Sequence, residues 1–109
     1  MKYRIRVTAR AMGGADAAAQ WIAEHSSPAQ AERWYQGLFE QIETLTSQPL
    51  RCPVIAESRR FPEELRELLY GKRNNKYRIV FTIRGGDVVI LYIHHGARGE
   101  RQPDQDLGD

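Results

Sequence analysis

Cysteine is almost missing from this chain: Cys52 is the only one in 109 residues. An internal disulfide is therefore excluded, and the composition fits a reducing compartment such as the cytoplasm. No apolar run approaches the roughly 18–20 residues that a membrane-spanning helix needs. The opening MKYRIRVTAR has charges throughout and no apolar core after it, so it does not read as a secretory signal. A large excess of one charge is missing too, since the net charge is only +2, too little to argue for a nucleic-acid ligand by itself. Histidine and cysteine do not recur at ligand spacing: His25 is far from His94 and His95, and Cys52 stands alone. Neither a metal site nor a cofactor is expected.

What is present suffices for one domain. Hydrophobic residues make up 41% and charged residues 28%, close to the average of globular proteins, and the length allows a single core. Charge is unevenly spread. From Arg59 to Arg84 there are eight basic residues against three acidic ones, a local excess of five that leaves the remainder of the chain net negative.

The first periodic segment alternates Tyr3, Ile5 and Val7 with Arg4, Arg6 and Thr8, the pattern of a half-buried strand. Met12-Gly13-Gly14 reads as its end. A helix is expected from about Asp16, as its N-cap or as a charge near its positive end, with Ala18, Trp21, Ile22 and His25 on one face. Ser27-Pro28-Ala29-Gln30 is a stronger start signal: a Ser cap, Pro at the first helical position and Gln three residues after the cap. Ala31, Trp34, Tyr35, Leu38, Ile42 and Leu45 then follow at helical spacing, which predicts about twenty helical residues up to Pro49. Residues 50–62, with Pro53 and Pro62, read as an irregular connector.

Three strands complete the chain. Leu65–Tyr70 is followed by a turn at Gly71–Asn75. Tyr77, Ile79, Phe81 and Ile83 alternate with Arg78, Val80, Thr82 and Arg84. After the hairpin turn Gly85-Gly86-Asp87, residues Val88–Ile93 are apolar on both faces, as a central strand requires. The order is β-α-α-β-β-β, an α+β domain of two layers with a helical hairpin packed on one face of a mainly antiparallel sheet. The domain is expected over residues 1–98 and a polar, mobile tail over 99–109.

Strand parity places Arg4, Arg6, Arg78 and Arg84 together on the sheet face away from the helices, with Lys72 and Arg73 on an adjacent turn. Such a row can bind phosphates, although the outer face of any two-layer domain has to be polar. His94 and His95 point to opposite faces, one inward and one outward. If the protein cuts RNA, His94 or His95 would serve as base or acid, Tyr92 as a weaker alternative, and Arg78, Arg84 and Arg98 would stabilise charge on the phosphorus. Glu63, Glu64 and Glu67 read as solvated charges or partners of Arg60 and Arg66. Cys52 reads as a small buried filler, and Trp21, Trp34, Tyr35 and Phe39 as core or as a groove for a partner.

The segment LRELLYGKRNNKYRIVFTIRGGDVVILYIHHGAR, residues 65–98, resembles the C-terminal half of the RelE/ParE superfamily, the toxins of type II toxin–antitoxin systems. Its LR-x-L-x-x-G-x-R patch, the following YRI, the Gly-Asp turn and the closing HGAR resemble the ParE-like branch in particular. The resemblance implies a growth-inhibiting toxin, of a kind associated with plasmid stabilisation, neutralised by a cognate antitoxin whose flexible segment folds on binding. Trp21, Trp34, Tyr35 and Phe39 would contact that antitoxin; Arg4, Arg6, Lys72, Arg73, Arg78, Arg84 and Arg98 would face the target or a phosphate. For the ParE-like branch it implies inhibition of DNA gyrase by protein contact. The alternatives are a RelE-like ribosome-dependent mRNA endonuclease, an mRNA interferase, and an inactive member that only binds an antitoxin.

Overall fold

In a computed structural model the chain forms β1 (Arg4–Val7), α1 (Ala9–His25), α2 (Pro28–Glu43), β2 (Arg66–Lys72), β3 (Asn75–Arg84) and β4 (Asp87–His95). The structure describes residues 2–72 and 75–96. Arg73, Arg98, the domain boundary at residue 98 and the tail 99–109 lie outside the described residues. The sheet order is β1-β4-β3-β2, with β1 parallel to β4 and the other pairs antiparallel. The two helices pack on one face, which is the expected α+β arrangement with a mixed sheet. Among the described residues no helix is long and apolar enough to cross a membrane.

The α2 start is as the sequence predicts: Ser27 Oγ accepts from the Gln30 amide at 3.0 Å and Pro28 opens the helix. The helix stops at Glu43, short of twenty residues, and Leu45 is buried from a separate 3₁₀ turn, Thr44–Thr46. For α1 the expectation fails. Its cap is Thr8, whose hydroxyl accepts from the Ala11 amide, and the helix runs unbroken through Gly13 and Gly14. Asp16 lies in its second turn and not at its start. Gly14 is there because α1 lies close to β4: a Cβ at this position would run into the Ile93 carbonyl. Ala11, Ala15 and Ala18 continue that narrow face.

The main core lies between helices and sheet, with Leu38, Ile42, Leu45, Ile79, Phe81, Val88, Ile90 and Ile93. A bulge in β4 keeps both Ile90 and Ile93 inward, because Phe81 pairs with Ile90 while its neighbour Val80 pairs with Tyr92. A second, smaller core lies on the other side of the sheet. There Ile55 of the connector and Leu65, just before β2, cover Val80 and Tyr92, with Phe61 and Leu91 beside them. The connector thus packs on the sheet, which its lack of periodicity did not foretell.

Candidate functional site

Parity holds for the sheet arginines. The face carrying Ile5, Ile79, Phe81 and Ile83 meets the helices, so Arg4, Arg6, Arg78 and Arg84 lie on the opposite one. They are not in one state. Arg4 and Arg6, on the edge strand β1, share Asp87 at 2.8 and 3.7 Å and keep 83% and 62% of their side chains exposed. Arg84 makes a two-pronged pair with Glu63 at 2.6 and 2.8 Å.

Arg78 is different, with only 15% of its side chain exposed. Glu57 grips its two terminal nitrogens at 2.9 and 3.3 Å, and Glu67 takes its Nε. Burial disfavours the guanidinium charge, but these carboxylates outweigh it and raise its already high pKa. The hydrogen bond from Arg78 holds the Glu57 carboxyl below the usual glutamate range, against the opposing effect of burial. Glu63 is likewise lowered by the hydrogen bond from Arg84. Of the acidic residues read from sequence, Glu64 does pair with Arg66, at 2.8 Å, whereas Glu63 and Glu67 reach across to β3.

The candidate proton-transfer groups are split by the sheet. His95 points inward, buried, its ring edge-on to Tyr77 and its Nε2 2.9 Å from Asn75 Oδ1. His94 and Tyr92 point outward, their rings 5.2 Å apart, and His94 is the cross-strand partner of Arg78. Its charge contributes to the lowered pKa of Glu57. Tyr92 is buried in the smaller core, and the Arg10 guanidinium lies 5.7 Å from its ring centre. His94, Tyr92 and Arg78 are therefore neighbours, and His95 is separated from them by the sheet.

On the helix side a groove of about 710 Å³ opens between the C-terminal end of α1, α2 and the edge strand β2. Its apolar lining includes Trp21, Ile22, Trp34, Leu69, Tyr70 and Tyr77, its cationic lining is Arg33 and Lys72, and His25 lies beside them; no carboxylate is among the described lining residues. His25 stacks on Trp21 at 4.1 Å. Trp34 packs against Tyr70 and Tyr77, and the Tyr70 hydroxyl donates to the Trp34 carbonyl at 2.9 Å. Burial, then the Glu40 charge, raises the Tyr70 pKa, so the hydroxyl stays a donor. That hydroxyl occupies the place a Cβ on Gly37 would need.

The structure brings Trp21 and Trp34 together in this groove. Tyr35 and Phe39 pack with their rings tilted against one another, 5.0 Å between centroids, in a shallower depression of α2 with Gln36, Glu40 and Glu43. Lys72 lies at the groove, on the sheet edge opposite to Arg4 and Arg6. Arg33, Tyr70 and Glu57 were not singled out from sequence. Arg33 at helical spacing from Trp34's neighbours was the available signal for the groove; nothing local marks Glu57.

Fold and surfaces together define a class: a small helix-backed sheet protein with a cation-rimmed groove on one side and a clamped arginine row on the other. The family follows from the sequence comparison, in which the family described as "ParE toxin of type II toxin-antitoxin system, parDE" matches residues 5–99. The chain belongs to this family of type II toxins. No curated protein matches it. A solved structure titled "Chromosomal ParDE TA system from P. aeruginosa" is similar over 86% of this chain and 96% of that chain, with a TM-score of 0.70 and 20% identity, a likeness of fold.

Proposed function

We propose that this chain is the toxin of a toxin–antitoxin pair, neutralised by its antitoxin, and that it inhibits DNA gyrase by protein contact. The observation that carries contact over RNA cleavage is the state of Arg78. A nuclease needs a cation turned toward the reacting phosphate, with an acid and a base on either side. Arg78 is instead bound by Glu57 and Glu67, and His95 lies across the sheet from His94 and Tyr92. Arg4 and Arg6 project into solvent and are the sheet cations best disposed to meet a target.

The groove supports an antitoxin partner. An acidic, flexible segment that orders on binding could lay apolar side chains on Trp21, Trp34 and Tyr70 while its carboxylates meet Arg33 and Lys72. The test is supercoiling by purified gyrase with increasing toxin, and in parallel translation on ribosomes. Loss of supercoiling with intact mRNA is expected. Cut mRNA with normal supercoiling would replace the proposal by the endonuclease alternative, and no growth effect on expression without antitoxin would favour the inactive one.

A further inference from the structure

Residues 54–65 form a loop with a closed neck: the Ile55 amide donates to the Leu65 carbonyl at 3.0 Å. The loop lies along β3 and meets four outward side chains of that strand, from Arg78 to Arg84. Glu57 takes Arg78, Ile55 and Leu65 cover Val80, the Glu64 carbonyl accepts from the Thr82 hydroxyl at 2.9 Å, and Glu63 takes Arg84. The loop's two ion pairs to β3 both have the carboxylate on the loop and the guanidinium on the strand, while Arg78 is held in addition by Glu67 of β2. Much of the loop's own bonding is internal: Ser58 and Phe61 donate to the Ile55 and Ser58 carbonyls, and Ser58 Oγ accepts from the Leu65 amide. The main core, on the far side of the sheet, contains no residue of the loop tip.

A segment with carboxylates flanking an aromatic anchor is thus already seated on this face, as part of the same chain. We infer that the loop tip, residues 56–64, is a displaceable cover, and that Arg78, Thr82 and Arg84 beneath it form a docking row for a second acidic polypeptide of the same design. Its carboxylates would replace Glu57 and Glu63, and an apolar side chain would take the place of Phe61 beside Val80 and Tyr92. A pre-seated internal ligand lowers apparent affinity for an outside one by the fraction of time the row is open. This site is independent of gyrase and lies on the opposite side of the sheet from the groove.

The test uses the full chain and a labelled synthetic peptide of residues 55–65, with a second peptide in which its glutamates are glutamines. Glu57→Gln together with Glu63→Gln should bind the glutamate peptide about ten-fold tighter than the wild type, and the glutamine peptide, which keeps only the cationic Arg59 and Arg60, should bind neither. Equal affinity for wild type and variant, or no binding to the variant, would overturn the inference. Capture of a single-stranded RNA oligonucleotide in place of the peptide would overturn the choice of a polypeptide. Should the double variant not fold, hydrogen exchange on the wild type decides: the Ser58 and Phe61 amides should exchange about ten-fold or more faster than those of Phe81 and Ile90. Exchange at the same rate as these core amides would show that the loop opens only with global unfolding.

Discussion

At the scale of single residues, Arg78 shows how burial changes what a charged side chain is for. An exposed arginine on a sheet is free to bind; one with two carboxylates and little solvent can meet an outside partner only after a carboxylate that holds it is displaced. Replacing it by alanine would leave Glu57 and Glu67 facing each other with no cation between them. Arg78→Ala should therefore cost about 3–5 kcal/mol in urea unfolding, and adding Glu57→Gln should recover part of that loss. A second substitution without recovery would mean that the guanidinium packs more than it pairs. The outward direction of Arg78 was legible from the alternation of β3. Its partners were not, because Glu57 lies 21 positions away in sequence and no local pattern links the two.

Among elements, α1 shows how local rules and packing diverge. Adjacent glycines in a sequence normally mark a turn, and so Gly13-Gly14 reads as the end of β1. Instead the helix begins at Ala9 and uses Gly14 to lie against the Ile93 backbone, a tertiary reason that no window of sequence contains. Gly13 has open space around its missing Cβ. The neighbours should then respond in opposite ways to the same change. Gly13→Ala should stabilise by about 0.5–1 kcal/mol, the helical advantage of alanine. Gly14→Ala should destabilise by about 1–3 kcal/mol through overpacking. Thermal melts of the two variants check this; a stabilised Gly14→Ala would refute the close approach. By contrast, the Ser27 cap was legible because everything it requires lies within four residues.

For the molecule as a whole, element order and layers were readable from periodicity, since both depend on which side chains are apolar. The roofing of the outer face was not, because Ile55 and Phe61 lie in a proline-containing stretch without a period. The loop ties acid stability to that face. Glu57 and Glu63 have folded pKa values below their ordinary 4.5, so their contribution is complete above that value and disappears as pH falls through the lowered ones. The melting temperature should hold, as far as these two groups matter, down to about pH 5 and fall below it, less steeply in Glu57→Gln. An equal acid loss in that variant would exclude the Glu57 pair as a cause. Finally, β1 pairs in parallel with β4, the last strand among the described residues. A ribosome making this protein must deliver residues as far as Ile90 before the opening strand has its full neighbour. Long-range closure of this kind is slow, so a freshly made toxin spends its first moments with β1 unplaced and its main core lacking Val88, Ile90 and Ile93.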